Sequence, residues 1–183
     1  MPIQIRPATP ADGAAVAEIY AYYVAETAIT FDETAPAAAE MSQRIADTLT
    51  KYPYLVATDD QQTVIGYAYA SAHRPRASYR WSVDTAIYVD PSHRRSGVGS
   101  ALYSRLIPMI KSQGYTRAYA GITLPNVASV GLHERLGFEP IGVYTAVGYK
   151  LGLWRDVGWW ELSLTNELPM RPTEPGPWVW DGG

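Results

Sequence analysis

The segment HRRSGVGSAL, His93 to Leu102, follows the apolar run TAIYV and opens a stretch in which Val98, Leu102, Leu106 and Ile110 recur at helical spacing. Its residue types suit an anion. The first N–H groups of a helix lack intrahelical partners and carry a partial positive charge, and a glycine-bearing loop with adjacent arginines lets an oxyanion reach them. A phosphate group is therefore expected on the amides from Arg95 to Ser100, and a plain glycine-rich turn is the structural alternative. Nucleoside-triphosphate chemistry is disfavoured because no lysine follows the second glycine. The dinucleotide fingerprint fails because Leu102 stands where a third glycine belongs.

A second candidate is Asp84 in SVDTAIYV, a lone acid inside an otherwise apolar strand. A carboxylate there must be desolvated, hydrogen-bonded or functional; pairing with Arg80 or plain solvation is the alternative. Just upstream, HRPRASYR supplies Arg74 and Arg76, whose planar forks suit bidentate pairing to a carboxylate or a similar oxyanion.

The elements that must position these groups follow from pattern. Ile3 and Ile5 alternate as in a short strand, and Thr9, Pro10 and Asp12 form a capping box and helix start, with the helix running to about Tyr23. Ala38 to Thr50 reads as a second helix. YLVAT and VIGYAYAS read as a hairpin, WSVDTAIYV as a strand, and the glycine loop leads into a helix reaching about Gln113. RAYAGI is a buried strand, Val127, Val130, Leu132 and Leu136 mark a short helix packed on the sheet, and IGVYTAVGYKLG and DVGWWELSL close the sheet. The order β, α, α, β, β, β, α, β, α, β, β predicts a mixed α/β fold. Residues 1–168 are expected to form one domain. The proline-rich tail, 169–183, is expected to be extended or partly disordered, with two tryptophans able to dock.

The 183 residues carry a formal charge of -3, no cysteine and three histidines. That balance gives no broad cationic surface for nucleic acid or an anionic membrane, and it excludes disulfides, thiolate metal sites and a cysteine nucleophile. No metal is expected. Without a signal-like N-terminus or an apolar run of membrane length, a cytoplasmic location is the expectation.

RRSGVG fits the R/Q-x-x-G-x-G/A signature of the GCN5-related N-acetyltransferases, with Arg94, Gly97 and Gly99 at the defining positions, and the chain resembles that family along nearly its whole length. TFDE, YPYLVA, GYAYA, YRWSVDTAIYV, LPNVASVGLHERLGF and GYKLGLWRDVGWWEL resemble its phosphinothricin N-acetyltransferase group. The resemblance implies a mostly antiparallel sheet with one splayed parallel pair, TAIYV and RAYAGI, flanked by helices. It implies acetyl-CoA as donor, held by Ile87, Tyr88 and Val89, by Arg94, Arg95, Ser96, Gly97, Val98, Gly99 and Ser100, and by Asn126 and Ser129. The implied acceptor is a small amino acid or a toxic analogue such as phosphinothricin, methionine sulfoximine or sulfone, or an arsenic-containing relative, in a detoxification or resistance reaction. Phe31, Arg74, Arg76, Tyr79 and Tyr88 match its pocket positions.

Acetyl transfer needs a neutral amine, and for an amine two units above ambient pH deprotonation costs about 2.7 kcal/mol. Asp84 is the candidate base. Relatives usually carry Glu there, so Asp84 falls short by about 1.5 Å and acts directly, through water, or cedes the work to His133. The structural alternative for His133 is a surface helix residue, and Phe31, Tyr79 and Tyr88 could equally be plain packing. A peptide or protein N-terminal acetyltransferase and a non-catalytic acyl-CoA-binding module are the competing functions. A homodimer is expected from the resemblance and from the tryptophans of GWWELSL and PWVW.

Overall fold

A computed structural model describes residues 3–182. Seven strands form one sheet in the order β1-β2-β3-β4-β5-β7-β6. The elements are β1 (Gln4–Pro7), α1 (Gly13–Glu26), α2 (Ala38–Leu49), β2 (Tyr54–Thr58), β3 (Val64–Ala72), β4 (Ser82–Val89), α3 (Val98–Ser112), β5 (Arg117–Leu124), α4 (Val127–Arg135), β6 (Glu139–Lys150) and β7 (Leu153–Ser163). This is the order read from the sequence. Every neighbouring pair is antiparallel except β4 with β5.

The chain enters α1 through a single 3₁₀ turn, Pro10–Asp12, closed by the expected capping box. The Asp12 carboxylate accepts from the Thr9 backbone N–H at 2.8 Å and from both Arg6 nitrogens at 2.7 and 2.8 Å. Those donors hold Asp12 below the ordinary carboxylate range. Helix α1 then continues past Tyr23 to Glu26.

Alternation along β2 to β4 sorts side chains into two cores. Leu55, Ala57, Ala68, Ala70 and Val83 meet Val98, Leu102, Leu106 and Ile110 of α3. On the opposite face Tyr54, Val56 and Tyr67 meet Val16, Ile19, Tyr20 and Tyr23 of α1 and Met41 and Ile45 of α2. With both faces covered, β2 is buried at every position, which is why YLVAT shows no polar alternation. Each fully buried Leu, Ile or Val contributes on the order of 1.5–3 kcal/mol.

Two expectations change. Val127 is 85% exposed, so the packed side of α4 is formed by Val130, Leu132, Leu136 and the buried His133. The tail forms neither helix nor strand; it is extended and docked, one of the alternatives the sequence leaves open, and is tied down at several points. Trp81 Nε1 donates to Thr173 O (2.7 Å), Gly176 N to Gln113 O (2.7 Å) and Trp178 Nε1 to Leu49 O (2.8 Å), while Trp178 and Trp180 pack on the α3 core. Trp160 is buried and Trp159, Trp178 and Trp180 are half-buried, so none of them stands fully exposed. Among the exposed apolar groups, Ile141, Val143, Val147 and Tyr149 belong to β6 and Leu153 and Trp154 to β7.

Candidate active site

The parallel pair is brief. Ser82, Val83 and Asp84 pair with Arg117, Ala118 and Tyr119, and no rung follows. Beyond it β4 stays with β3 as far as Val89 and β5 stays with β7 as far as Leu124, so the two central strands separate just after Asp84. The separation leaves their facing backbone N–H and C=O groups without a ladder partner, available to a ligand laid between them. A cavity of about 70 Å³ opens there, lined by Thr85, Ala86, Ile87 and Tyr88 of β4, Ala120 to Thr123 of β5, and Asn126, Ser129 and His133.

At the far end of β4 the glycine loop enters α3. Gly97 is the N-cap, in the left-handed region at φ 89°, and no side chain caps the helix. A side chain at Gly97 would touch nothing within 4 Å, so the space over the first-turn amides is open, as a bound pyrophosphate requires. Gly99 does something else. A Cβ there would stand 3.0 Å from Leu132 Cδ2, so this glycine lets α3 approach α4. Val98 is buried and packs against Gly66, contributing its backbone alone, while Arg95, Ser96 and Ser100 are exposed. The Arg94 guanidinium lies over the rings of Tyr22 and Tyr23 at 5.0 and 5.5 Å. Asn126 accepts from Ser129 N at 3.1 Å as the cap of α4, which leaves its amide nitrogen as a donor toward the cavity.

His133 is no surface residue. It is 2% exposed, and both ring nitrogens are engaged. A carbonyl oxygen only accepts, so Nδ1 carries the proton it donates to Ser129 O at 2.8 Å, and Nε2 accepts from the Tyr103 hydroxyl at 3.1 Å. Burial draws its pKa below the ordinary value of 6.5.

Asp84 does not meet Arg80, which pairs with Glu174 of the tail. Its partner is His73, whose Nδ1 lies 2.6 Å from Asp84 Oδ1. Burial raises the Asp84 pKa, outweighing His73 and Arg74, which lower it. His73 was absent from the sequence reading, although it stands directly after β3 on the strand antiparallel to Asp84's, one step beyond the rung Ala72↔Val83. The ring is clamped: Tyr119 stacks on it at 4.3 Å, and Tyr79 and Trp159 approach edge-on, each at 6.1 Å.

The remaining expected pocket residues separate. The Arg74 guanidinium sits over the Trp159 ring at 5.7 Å and acts electrostatically on Asp84, which places it on the Asp84 side of the site. Arg76 is exposed on the loop and makes no ion pair among the described residues. Phe31 is 40% exposed but firmly seated: its ring lies on Gly148, where any Cβ would come within 2.5 Å, and Lys150 Nζ donates to the carbonyls of Thr30 (2.8 Å) and Asp32 (2.9 Å) on either side. Tyr88 serves both readings, lining the cavity and packing against Tyr20, Tyr23 and Tyr67. A larger cavity of about 290 Å³ lies between α2 and the tyrosine-rich face of β2 and β3, and none of the expected site residues lines it.

A strand pair splayed at an acid, with an open helix N-terminus beyond it, is the architecture of an acyl-CoA transferase. An acetyltransferase (GNAT) domain model matches residues 5–159, and the chain belongs to the GNAT family. It is an acetyl-CoA-dependent N-acetyltransferase. It is 39% identical to the phosphinothricin N-acetyltransferase of Streptomyces viridochromogenes over 95% of this chain and 94% of that protein. It is 37% identical to the L-methionine sulfoximine/L-methionine sulfone acetyltransferase of Pseudomonas aeruginosa over 90% of this chain and 96% of that one. The crystal structure of a phosphinothricin acetyltransferase from Sinorhizobium meliloti in complex with AcCoA superposes with a TM-score of 0.90 at 39% identity, covering 95% of each chain.

Proposed function

We propose that this enzyme acetylates the α-amino group of a small amino acid or of a toxic glutamate or methionine analogue: phosphinothricin, methionine sulfoximine or sulfone, or arsinothricin. The observation that carries this reading is the placement of Asp84, with Arg74 beside it, at the point where β4 and β5 part. An amine at the fork meets a proton acceptor and a cation for its carboxylate or phosphinate in the same place. The activities of the relatives support the acceptor class.

On this reading Ile87, Tyr88 and Val89 line the donor along β4, the amides from Arg95 to Ser100 take its pyrophosphate, and Asn126 and Ser129 hold its arm. The neutral amine attacks the thioester carbonyl carbon, the C–N bond forms, the C–S bond breaks, and CoA leaves as the thiol once it has taken a proton. His133, with both nitrogens engaged, holds α4 against Tyr103 and transfers no proton in the reaction. Phe31 and Tyr79 wall the acceptor. Arg76 is the weakest member of the set, being free to reach an anion only by moving.

The enzyme works as a homodimer in the cytoplasm, the second copy covering the apolar β6–β7 edge, where Trp154 is 67% exposed. Sedimentation at micromolar concentration is expected to show a dimer, and a monomer counts against this part. The acceptor class is tested by following acetyl-CoA turnover over a panel of phosphinothricin, methionine sulfoximine, methionine sulfone, ordinary L-amino acids and a short peptide. Turnover with a small free amino acid or analogue is expected. Acetylation of the peptide N-terminus alone would overturn the reading.

A further inference from the structure

We propose that His73 is the proton-accepting group of this site and that Asp84 positions it, an inference that rests on the acetyltransfer reading above. The geometry begins with the 2.6 Å contact between His73 Nδ1 and Asp84 Oδ1. An ionised carboxylate only accepts, so the proton sits on Nδ1 and the lone pair on Nε2. Nε2 has no hydrogen-bond partner among the described residues, and it is not among the sealed polar atoms, so it is free to take a proton. Tyr119 beneath the ring and Tyr79 and Trp159 at its edges fix its orientation, and Trp159 also carries Arg74.

This arrangement extends the reach of Asp84. The imidazole stands between the carboxylate and open space, and the imidazolium that forms is compensated at 2.6 Å by the carboxylate it already touches. The balance is simple. One ammonium proton passes to Nε2, the Nδ1 proton stays in its bond to Asp84, and the pair goes from one negative charge to none. As the tetrahedral adduct collapses and the C–S bond breaks, the nitrogen sheds its second proton; of the two protons one ends on the departing CoA sulfur and the other in water, and the neutral ring is restored.

The groups facing the pair leave it as the part that changes charge. Arg74 is permanently cationic, Glu161 is paired with Arg117 at 3.2 Å, the Tyr119 hydroxyl is pushed up to about 12, and burial also raises Tyr69 of β3. Tyr79 presents its ring edge to His73.

Two measurements on the full chain test the assignment. In ¹⁵N-histidine NMR, with the His73 signal identified by its loss in His73→Phe, Asp84→Asn is expected to lower the His73 proton affinity at least tenfold; an unchanged titration overturns the dyad. In kinetics, His73→Phe keeps a ring on Tyr119 but cannot take a proton. Its kcat/KM is expected to fall at least 100-fold, with loss of the acidic limb of the pH profile and little change in KM for acetyl-CoA. Retention of both rate and limb overturns the role of His73 even if the two groups are coupled. The NMR arm needs no turnover, so inactivity of the unmodified enzyme over the whole amino-acid panel would count against the acetyltransfer reading and leave the dyad to be decided by titration.

Discussion

Two adjacent residues of β4, Asp84 and Thr85, point to opposite faces of the sheet, and each ends a hydrogen-bonded chain that contains a histidine. On one face Asp84 meets His73 at 2.6 Å. On the other the Tyr103 hydroxyl lies 3.3 Å from Thr85 Oγ1 and 3.1 Å from His133 Nε2. Both imidazoles are engaged at Nδ1, and the difference lies in what engages it. A carboxylate stabilises an imidazolium; a backbone carbonyl and a phenol, sealed from water, do not compensate a full charge. The same side chain is therefore a proton acceptor on one face of the strand and a neutral spacer on the other.

Substitution at Asp84 gives the largest expected effect. Asp84→Ala should lower kcat/KM by about 10²- to 10⁴-fold, the range for loss of a general base or its support. His133→Asn should leave the pH profile in place and lower stability instead. An equal kinetic loss at both positions, measured over pH 6 to 9, would break the comparison. Asp84→Glu sharpens it: the longer acid displaces the His73 ring from Tyr119, so rate is expected to fall, whereas a gain would show that carboxylate reach was limiting all along. Next in size is Tyr103→Phe. It leaves the buried Nε2 of His133 without its donor, which costs about 1–3 kcal/mol of stability in denaturant unfolding and should leave kcat within a fewfold. Gly97→Val should follow: a β-branched residue at φ 89° is strained by about 1–2 kcal/mol, and the side chain enters the open space over the α3 amides. Calorimetry should show weaker CoA binding, and unchanged affinity would remove the pyrophosphate from this loop.

The order of elements and the position of Asp84 were legible because each has a local cause: a capping box at Thr9, a glycine before a helix, a lone acid in an apolar strand. His73 was not legible because its role depends on register. The stretch AHRPRASYR reads as a break, and nothing in it says that β3 ends at Ala72, so that the next residue returns to face a residue eleven positions further on. Counting back along the hairpin from Asp84 was the available signal. The packing role of Gly99 was hidden for a similar reason, since the tight contact that a side chain there would make comes from Leu132 on a helix formed later in the chain. Trp159 and Lys150 read as ordinary strand residues until β6 and β7 fold back and set one under Arg74 and the other against the Thr30 and Asp32 carbonyls. Composition left the tail extended or partly disordered with tryptophans able to dock, but not where: each finds apolar surface, and one finds an orphan helix C-terminal carbonyl, Leu49 O.

The smallest expected effect is thermodynamic, and it separates the two chains by sign. His133 has a folded pKa below its ordinary 6.5, so between that folded value and 6.5 the unfolded state binds more protons. Acidification through this window therefore destabilises the fold through His133. Asp84 is shifted the other way, with a folded pKa above its ordinary 3.8, so in the window just above 3.8 the folded state binds more protons and acidification favours folding. Urea unfolding at closely spaced pH values should show wild-type stability falling as pH drops below 6.5, with a shallower fall in His133→Asn. Asp84→Asn should remove the opposing contribution and steepen the fall nearest pH 4. If the His133 variant keeps the full wild-type slope below pH 6.5, the buried ring is not held neutral, and the contrast between the two faces of β4 fails at its thermodynamic end even where the kinetics agree.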